Sequence, residues 1–226
     1  MSKNRQNKSI QYDLLPYILA DGAELVGKYK FPQLLPQKNI PSSMPLPINY
    51  MLSQKVLEDK WFHCFVHDYM FERFWNDFKK YIPYFEKIKG IISTDFSLYR
   101  NYDEYMQIWN CRRNRAMAYA MQQINPNVIP TAGFGGENTW SWCFDGLPKN
   151  STVAITTNGV LSDREAKRLF VGGVDALVNI VNPYAIVVCG NYPKWLNTKY
   201  PNVRIVPIFN FSQMRRNQMR KKEVIA

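Results

Sequence analysis

Histidine occurs only twice in the 226 residues, at His63 and His67, and cysteine four times. Cys64, Cys111, Cys143 and Cys189 lie far apart, form no C-x-x-C pair and sit inside apolar or aromatic runs. That spacing fits buried, reduced thiols and offers neither a disulfide framework nor a tetrahedral zinc set. No apolar run approaches the roughly 20 residues that span a bilayer, and the first thirty residues lack a basic-then-apolar leader. A cytoplasmic chain without a membrane partner is expected. Acid is the scarcer charge: 18 Asp and Glu face 29 Lys and Arg, for a net charge of +11.

The surplus base is concentrated at the ends. Residues 1–12 hold Lys3, Arg5 and Lys8 with no acid, and residues 211–226 hold Arg215, Arg216, Arg220, Lys221 and Lys222 against Glu223. Such termini read as basic tails that grip phosphates, so nucleic acid or a nucleotide is the expected partner. Between them, residues 13–60 include Pro32, Pro36, Pro41, Pro45 and Pro47, too many for a helix or an inner strand, and read as an arm packed on the body. Residues 24–31 could add one strand.

From residue 61 to 210 short runs rich in Val, Ile and Phe alternate with segments of helical period. Six strands are predicted, at 61–67, 90–95, 127–133, 152–157, 184–190 and 203–209. Long helices are predicted at 71–87, 102–124 and 162–181, the last capped by Ser162 with Glu165 closing a capping box. Shorter ones fall near 139–144 and 193–198. Strand–helix–strand repetition implies parallel pairing. The fold class is therefore α/β, with a parallel sheet of repeated βα units that is either a small or incomplete barrel or an open doubly wound sheet.

Both architectures put ligands at the carboxyl ends of the strands. Those ends read His67-Asp68, Asp95-Phe96-Ser97, Gly133 to Asn138, Thr156 to Gly159, and Gly190-Asn191. Asp68, Asp95 and Glu137 make a carboxylate set that Mg²⁺ or Mn²⁺ would suit; alternatively Asp95 caps the following turn and Asp68 the helix after it. His67 at the mouth is the acid–base candidate, whereas His63 reads as a satisfied core or interface residue. The glycine loop at 133–136 could cradle phosphate, or merely turn tightly into a helix. Gln107, Asn110 and Asn114 share a helical stripe as candidate ligand contacts; Arg112 and Arg115 could fork a phosphate. Trp142 could stack on a base.

Several motifs taken together resemble a known family. They are His67-Asp-Tyr-x-Phe71-Glu-Arg-Phe-Trp75, Ser93-Thr-Asp95-Phe-Ser97-Leu-Tyr-Arg100, Gln107-Ile-Trp-Asn110-x-x-x-Asn114-Arg115, Val128-Ile-Pro130, Cys143-Phe-Asp145-Gly-Leu-Pro148 and Thr156-Thr-Asn158-Gly159. From about residue 40 to about residue 192 the chain resembles the phage- and mobile-element-borne family called domain of unknown function 4417. It departs where Thr94 replaces a proline, and where Gly133-Phe-Gly-Gly-Glu137 replaces a tryptophan-glycine-acid triplet. The resemblance implies a phage setting in a bacterial cell and carries no reaction. Its motif residues Asp68, Asp95, Ser97, Asn114, Arg115, Asp145 and Asn158 overlap the rim. Two functions are expected to compete: action on nucleic acid or a nucleotide-like anion, or a non-enzymatic role as a replication accessory or host-factor inhibitor with the α/β body as scaffold.

Overall fold

The computed structural model describes residues 14–160 and 163–225, without the side chains of residues 218 and 220–225. The N-terminal basic stretch at 1–12 and the expected cap Ser162 lie outside the described residues.

All six predicted strands form, each at least one residue shorter than its sequence pattern. They are β4 (Trp61–His63), β5 (Gly90–Ile92), β6 (Val128–Ile129), β7 (Thr152–Thr156), β8 (Ala185–Cys189) and β9 (Arg204–Ile208). The shortening has visible causes. β4 stops because His63 Nδ1 accepts the Phe65 N–H (3.2 Å) and the Val66 N–H turns back to Cys64 O (2.8 Å). Beyond β5 and β6, hydroxyls replace ladder bonds: Ser93 Oγ accepts the Thr131 N–H (3.1 Å), and Thr131 Oγ1 donates to Thr94 O (2.7 Å).

Three further strands precede these. β1 (Leu25–Val26) and β2 (Phe31–Pro32) form an antiparallel hairpin where one strand was expected, because Gly27 and Lys30 adopt positive φ and reverse the chain. β3 (Leu46–Pro47), inside the proline-rich stretch, pairs in parallel with β4 as an edge strand, the position in a sheet that tolerates proline. The rest of that stretch lies on the body: Leu34 N–H donates to Gly146 O (2.9 Å) and Gln37 Nε2 to Thr152 O (2.8 Å).

β3 to β6 form one parallel sheet and β7 to β9 another, linked by a single parallel bridge, Thr131 to Ala154. Strand order thus follows chain order throughout. The sheet curls until its edges meet, with the Phe209 N–H donating to Met44 Sδ (3.2 Å) and the rings of Tyr50 and Phe211 stacked at 5.8 Å. No ladder joins β9 to β3 among the described residues, so the barrel does not close and the parallel sheet is open.

The helices are α1 (Leu15–Ile18), α2 (Glu72–Asn76), α3 (Phe78–Lys87), α4 (Glu104–Gln122), α5 (Arg164–Val181), α6 (Trp195–Lys199) and α7 (Phe211–Ile225). The long helix expected at 71–87 is two, because Asp77 leaves the helical region (φ −147°, ψ 63°). Each half still buries its aromatic face, Phe74 and Trp75 in α2 and Phe78, Tyr81 and Phe85 in α3. The helix expected at 139–144 is a 3₁₀ turn, Glu137–Thr139. Asp163 caps α5: its carboxylate accepts the Ala166 N–H (2.6 Å), while Glu165 pairs with Arg168. Residues 211–225, read as a basic tail, are helical.

The core has two outer layers and one inner. Ile91, Phe62 and Val128 pack against α2, α3 and α4, and Val153, Ile155, Ile186 and Val188 against Phe170, Val174 and Leu177 of α5. On the inner face Trp61, Phe65, Ile92, Ile129, Ala154, Val187, Cys189 and Ile208 meet as one cluster drawn from all six inner strands and their ends. The apolar interior thus stops at the level of Phe65 and Cys189, leaving polar residues at the carboxyl rim.

Candidate functional site

Two adjoining cavities of about 940 and 450 Å³ open on that rim. Asp95, Ser97, Tyr99, Thr156, Asn158 and Gly159 line both. The larger is completed by Phe65 to His67 after β4, by Tyr69, by Asn191 after β8 and by Asn210 to Ser212 after β9. The smaller adds Gly133 to Gly135, Arg100 and the start of α5.

Asp95 sits where the cavities join. Among the described residues its carboxyl has no hydrogen-bond or ion-pair partner, so it caps nothing. A Cβ on Gly133 would lie 3.2 Å from its Oδ1, and glycine there leaves the carboxyl room. Burial, reinforced by the negative charge of Asp68 and partly opposed by the Arg115 guanidinium, pushes its pKa up to about 7. A lone carboxyl poised near neutrality in a cleft can give or take a proton at a bound ligand.

The other rim residues hold the loop that presents it. Asp68 accepts from the Ser97 N–H (3.1 Å) and Oγ (3.0 Å), so it pins residue 97 instead of capping a helix. Asn114 accepts the Phe96 N–H (2.7 Å) and donates to Phe96 O (3.0 Å), as a neighbouring strand would. Asn110 donates to Ser97 O (2.7 Å), and Gln107 to Tyr99 O (2.7 Å). The amide stripe of α4 therefore positions residues 96–99 from below and does not face the cavity, which corrects its reading as a set of ligand contacts. Asn114→Ala is expected to leave two buried backbone groups unpaired and to lower stability by roughly 3 kcal/mol, read as a shift in the urea midpoint at unchanged slope.

Other expected site residues lie elsewhere. Arg115 is buried and gives its guanidinium to three carbonyls, Asp145 O (2.9 Å), Thr131 O (3.0 Å) and Cys143 O (2.7 Å), so it is no phosphate fork. Arg112 donates to Lys30 O (2.7 Å). Trp142 is buried against Tyr29 and Phe31 and offers no free face for stacking. Asp145 stands beside Gly27, its pKa raised by burial and partly lowered by Arg115. Glu137 is exposed and paired with Arg168 (2.6 Å), outside both cavities. Asp68, Asp95 and Glu137 therefore do not converge, and among the described residues no three His, Cys, Asp or Glu side chains are placed to hold a metal ion.

His67 lines the larger cavity, exposed and stacked on Tyr69 at 5.9 Å. His63 is buried, and desolvation lowers its pKa to about 3, so it is neutral; its Nε2 has no partner, against the satisfied core residue expected. All four cysteines are free and buried. Asn158 stands at the mouth, its Oδ1 accepting from Asn210 Nδ2 (2.8 Å). On α7, Arg215 lies over the Phe211 ring (5.7 Å) and Arg216 is exposed; the side chains of Arg220, Lys221 and Lys222 lie outside the described residues. The residues that sequence reasoning passed over are Tyr69, Tyr99 and the run Asn210 to Gln213. The last follows the sixth predicted strand, the one strand end left out of the rim.

No described helix is long and apolar enough to cross a membrane. The model of the family described as Domain of unknown function (DUF4417) matches residues 23–207, which takes in the rim from Phe65 to Asn191 and stops before Asn210. The chain is 29% identical over 191 residues to the Gene 1 protein of Mycobacterium phage L5, covering 82% of each chain. It is 27% identical over 186 residues to the Gene 1 protein of Mycobacterium phage D29, covering 80% of this chain and 67% of that one. No solved structure matches.

Proposed function

The chain belongs to the DUF4417 family, and from its rim we propose that it binds nucleic acid or a nucleotide-like anion at the carboxyl ends of its strands and acts on it with Asp95 as the acid–base group. The unpartnered Asp95 carboxyl at the junction of the two cavities carries this reading. Below pH 7 it is largely neutral and admits an anion; Arg100, half-exposed beside the smaller cavity, is the nearest cation there, shared with Asp163 (2.9 Å), and the net charge of +11 favours polyanions.

The non-enzymatic reading has one observation on its side. Tyr102, Tyr105, Met106 and Trp109 share an exposed face of α4 and its approach, as a scaffold for a protein partner would.

Titrating single- and double-stranded DNA and RNA against salt tests the proposal. The full chain is compared with a variant that lacks residues 1–12 and carries Gln at 220, 221 and 222; the first turn of α7 stays because it lines the cavity. The variant is expected to keep binding one nucleic-acid form with a shallower salt slope. Absence of binding to any nucleic acid or nucleotide at low salt overturns the proposal.

A further inference from the structure

We infer that the larger cavity reads a nucleobase, holding the nucleoside unit of its ligand and leaving the phosphate outside. The inference rests on the nucleotide reading above and names the part of the ligand that is held.

Among the described residues no lysine or arginine lines the larger cavity, so a phosphate within it would meet no cation from them. Its one carboxyl, Asp95, would oppose a phosphate whenever ionised. What lines it instead is amide, hydroxyl and ring. Three lining carboxamides from the ends of β7, β8 and β9 are tied together, with Gln213 of α7 behind them: Asn210 Nδ2 donates to Asn158 Oδ1 (2.8 Å), Gln213 Nε2 to Asn191 Oδ1 (3.0 Å), the Asn210 N–H to Gln213 Oε1 (3.0 Å) and the Gln213 N–H to Asn210 Oδ1 (2.9 Å).

These bonds fix which end of each amide points where. The Asn191 Nδ2 donors have no partner among the described residues, and Asn158 Nδ2 makes only a long bond to Phe65 O (3.5 Å). Free amide donors with oxygens beside them complement the mixed donors and acceptors of a base edge. Asp95 in its neutral form adds a donor and an acceptor side by side.

Planar ligands also need a face. Tyr69 (72% exposed), stacked on His67 on one face, and Tyr99 (54% exposed), edge-on to Tyr102, line the same cavity and keep ring surface open, whereas Phe211 is covered by Tyr50 and Arg215. Base–aromatic stacking tolerates any base, and the amides supply the choice among them. The volume lies in the range that encloses a small organic ligand. Arg100, at the adjoining smaller cavity, is paired with Asp163 (2.9 Å) and half-exposed, and an emerging phosphate would have to compete with that carboxylate for it.

The test is calorimetric titration of the full chain at pH 6 with adenosine, guanosine, cytidine, uridine and thymidine, and separately with ribose 5-phosphate, inorganic phosphate, methyl glucoside and a single-stranded oligonucleotide. Saturable binding of at least one nucleoside is expected, insensitive to salt and at least tenfold weaker in Asn191→Ala and Tyr69→Leu, both surface changes that leave the fold intact. Binding of ribose 5-phosphate or phosphate with the nucleosides silent overturns base readout and leaves the nucleotide reading standing. Methyl glucoside binding with the nucleosides silent overturns base readout in favour of a sugar site. Silence of every ligand, the oligonucleotide included, overturns both readings, and nucleoside binding unchanged in the two variants overturns the location.

Discussion

Asp95→Asn is expected to stabilise the protein above pH 7 while lowering the proposed acid–base turnover at the rim about 10²- to 10⁴-fold, the usual contribution of a positioned acid–base group. The unfolded carboxyl titrates near 3.9, and the folded one at about 7. Between those values the folded state keeps a proton that the unfolded state has released, so stability falls as pH rises through the window, and the loss is complete above 7. A shift of about three units corresponds to roughly 4 kcal/mol. Asp95 faces an open cavity, and screening there reduces the figure to roughly 2 kcal/mol. The amide of Asn has the same shape and never ionises. Thermal denaturation is therefore expected to show a Tm about 4–8 °C higher for the variant at pH 8 and nearly unchanged at pH 4. Equal destabilisation at both pH values would show that the carboxyl makes a structural bond, contrary to its position. A side chain that costs stability in its working state is what a functional site retains and a purely structural one does not.

The parts of this molecule written in local pattern were readable in the sequence, and the parts made by distant contacts were not. Ala185–Cys189 is apolar at every position because both faces of that parallel strand are covered, and all six of the predicted runs rich in Val, Ile and Phe form strands. Asp95, Ser97, His67 and Asn158 were found by asking which residues end those strands, and all four line the larger cavity. Helical spacing likewise put Gln107, Asn110 and Asn114 on one face, yet periodicity does not say what the face meets; here it meets the backbone of residues 96–99. The two-residue strand β3 has no period to read, and its pairing with β4 depends on chain 16 residues away. The metal set failed for a similar reason, since Arg168, 31 residues on, holds Glu137 outside the cavities.

Arg115 gives the sharpest separation of structural from functional charge. Its place beside the apolar run 116–121 of α4 makes it hard to solvate, but only the fold brings Thr131, Cys143 and Asp145 to it. Arg115→Met is expected to lower stability by roughly 3–5 kcal/mol, because three carbonyls lose their donor in a buried setting. That is a large part of the 5–15 kcal/mol that holds a typical domain together. Arg115→Lys keeps the charge but not the planar fork, and is expected to fall between wild type and Arg115→Met in urea denaturation. The charge itself is read at Asp95. Arg115 is the one group that holds the Asp95 pKa down. In folded Arg115→Met, measured at low temperature, Asp95 should titrate above 7 by carbon-detected NMR, and in Arg115→Lys near its wild-type value. A loss of stability without a move of Asp95 in Arg115→Met would mean that the guanidinium serves only the carbonyls and leaves the rim acid untouched.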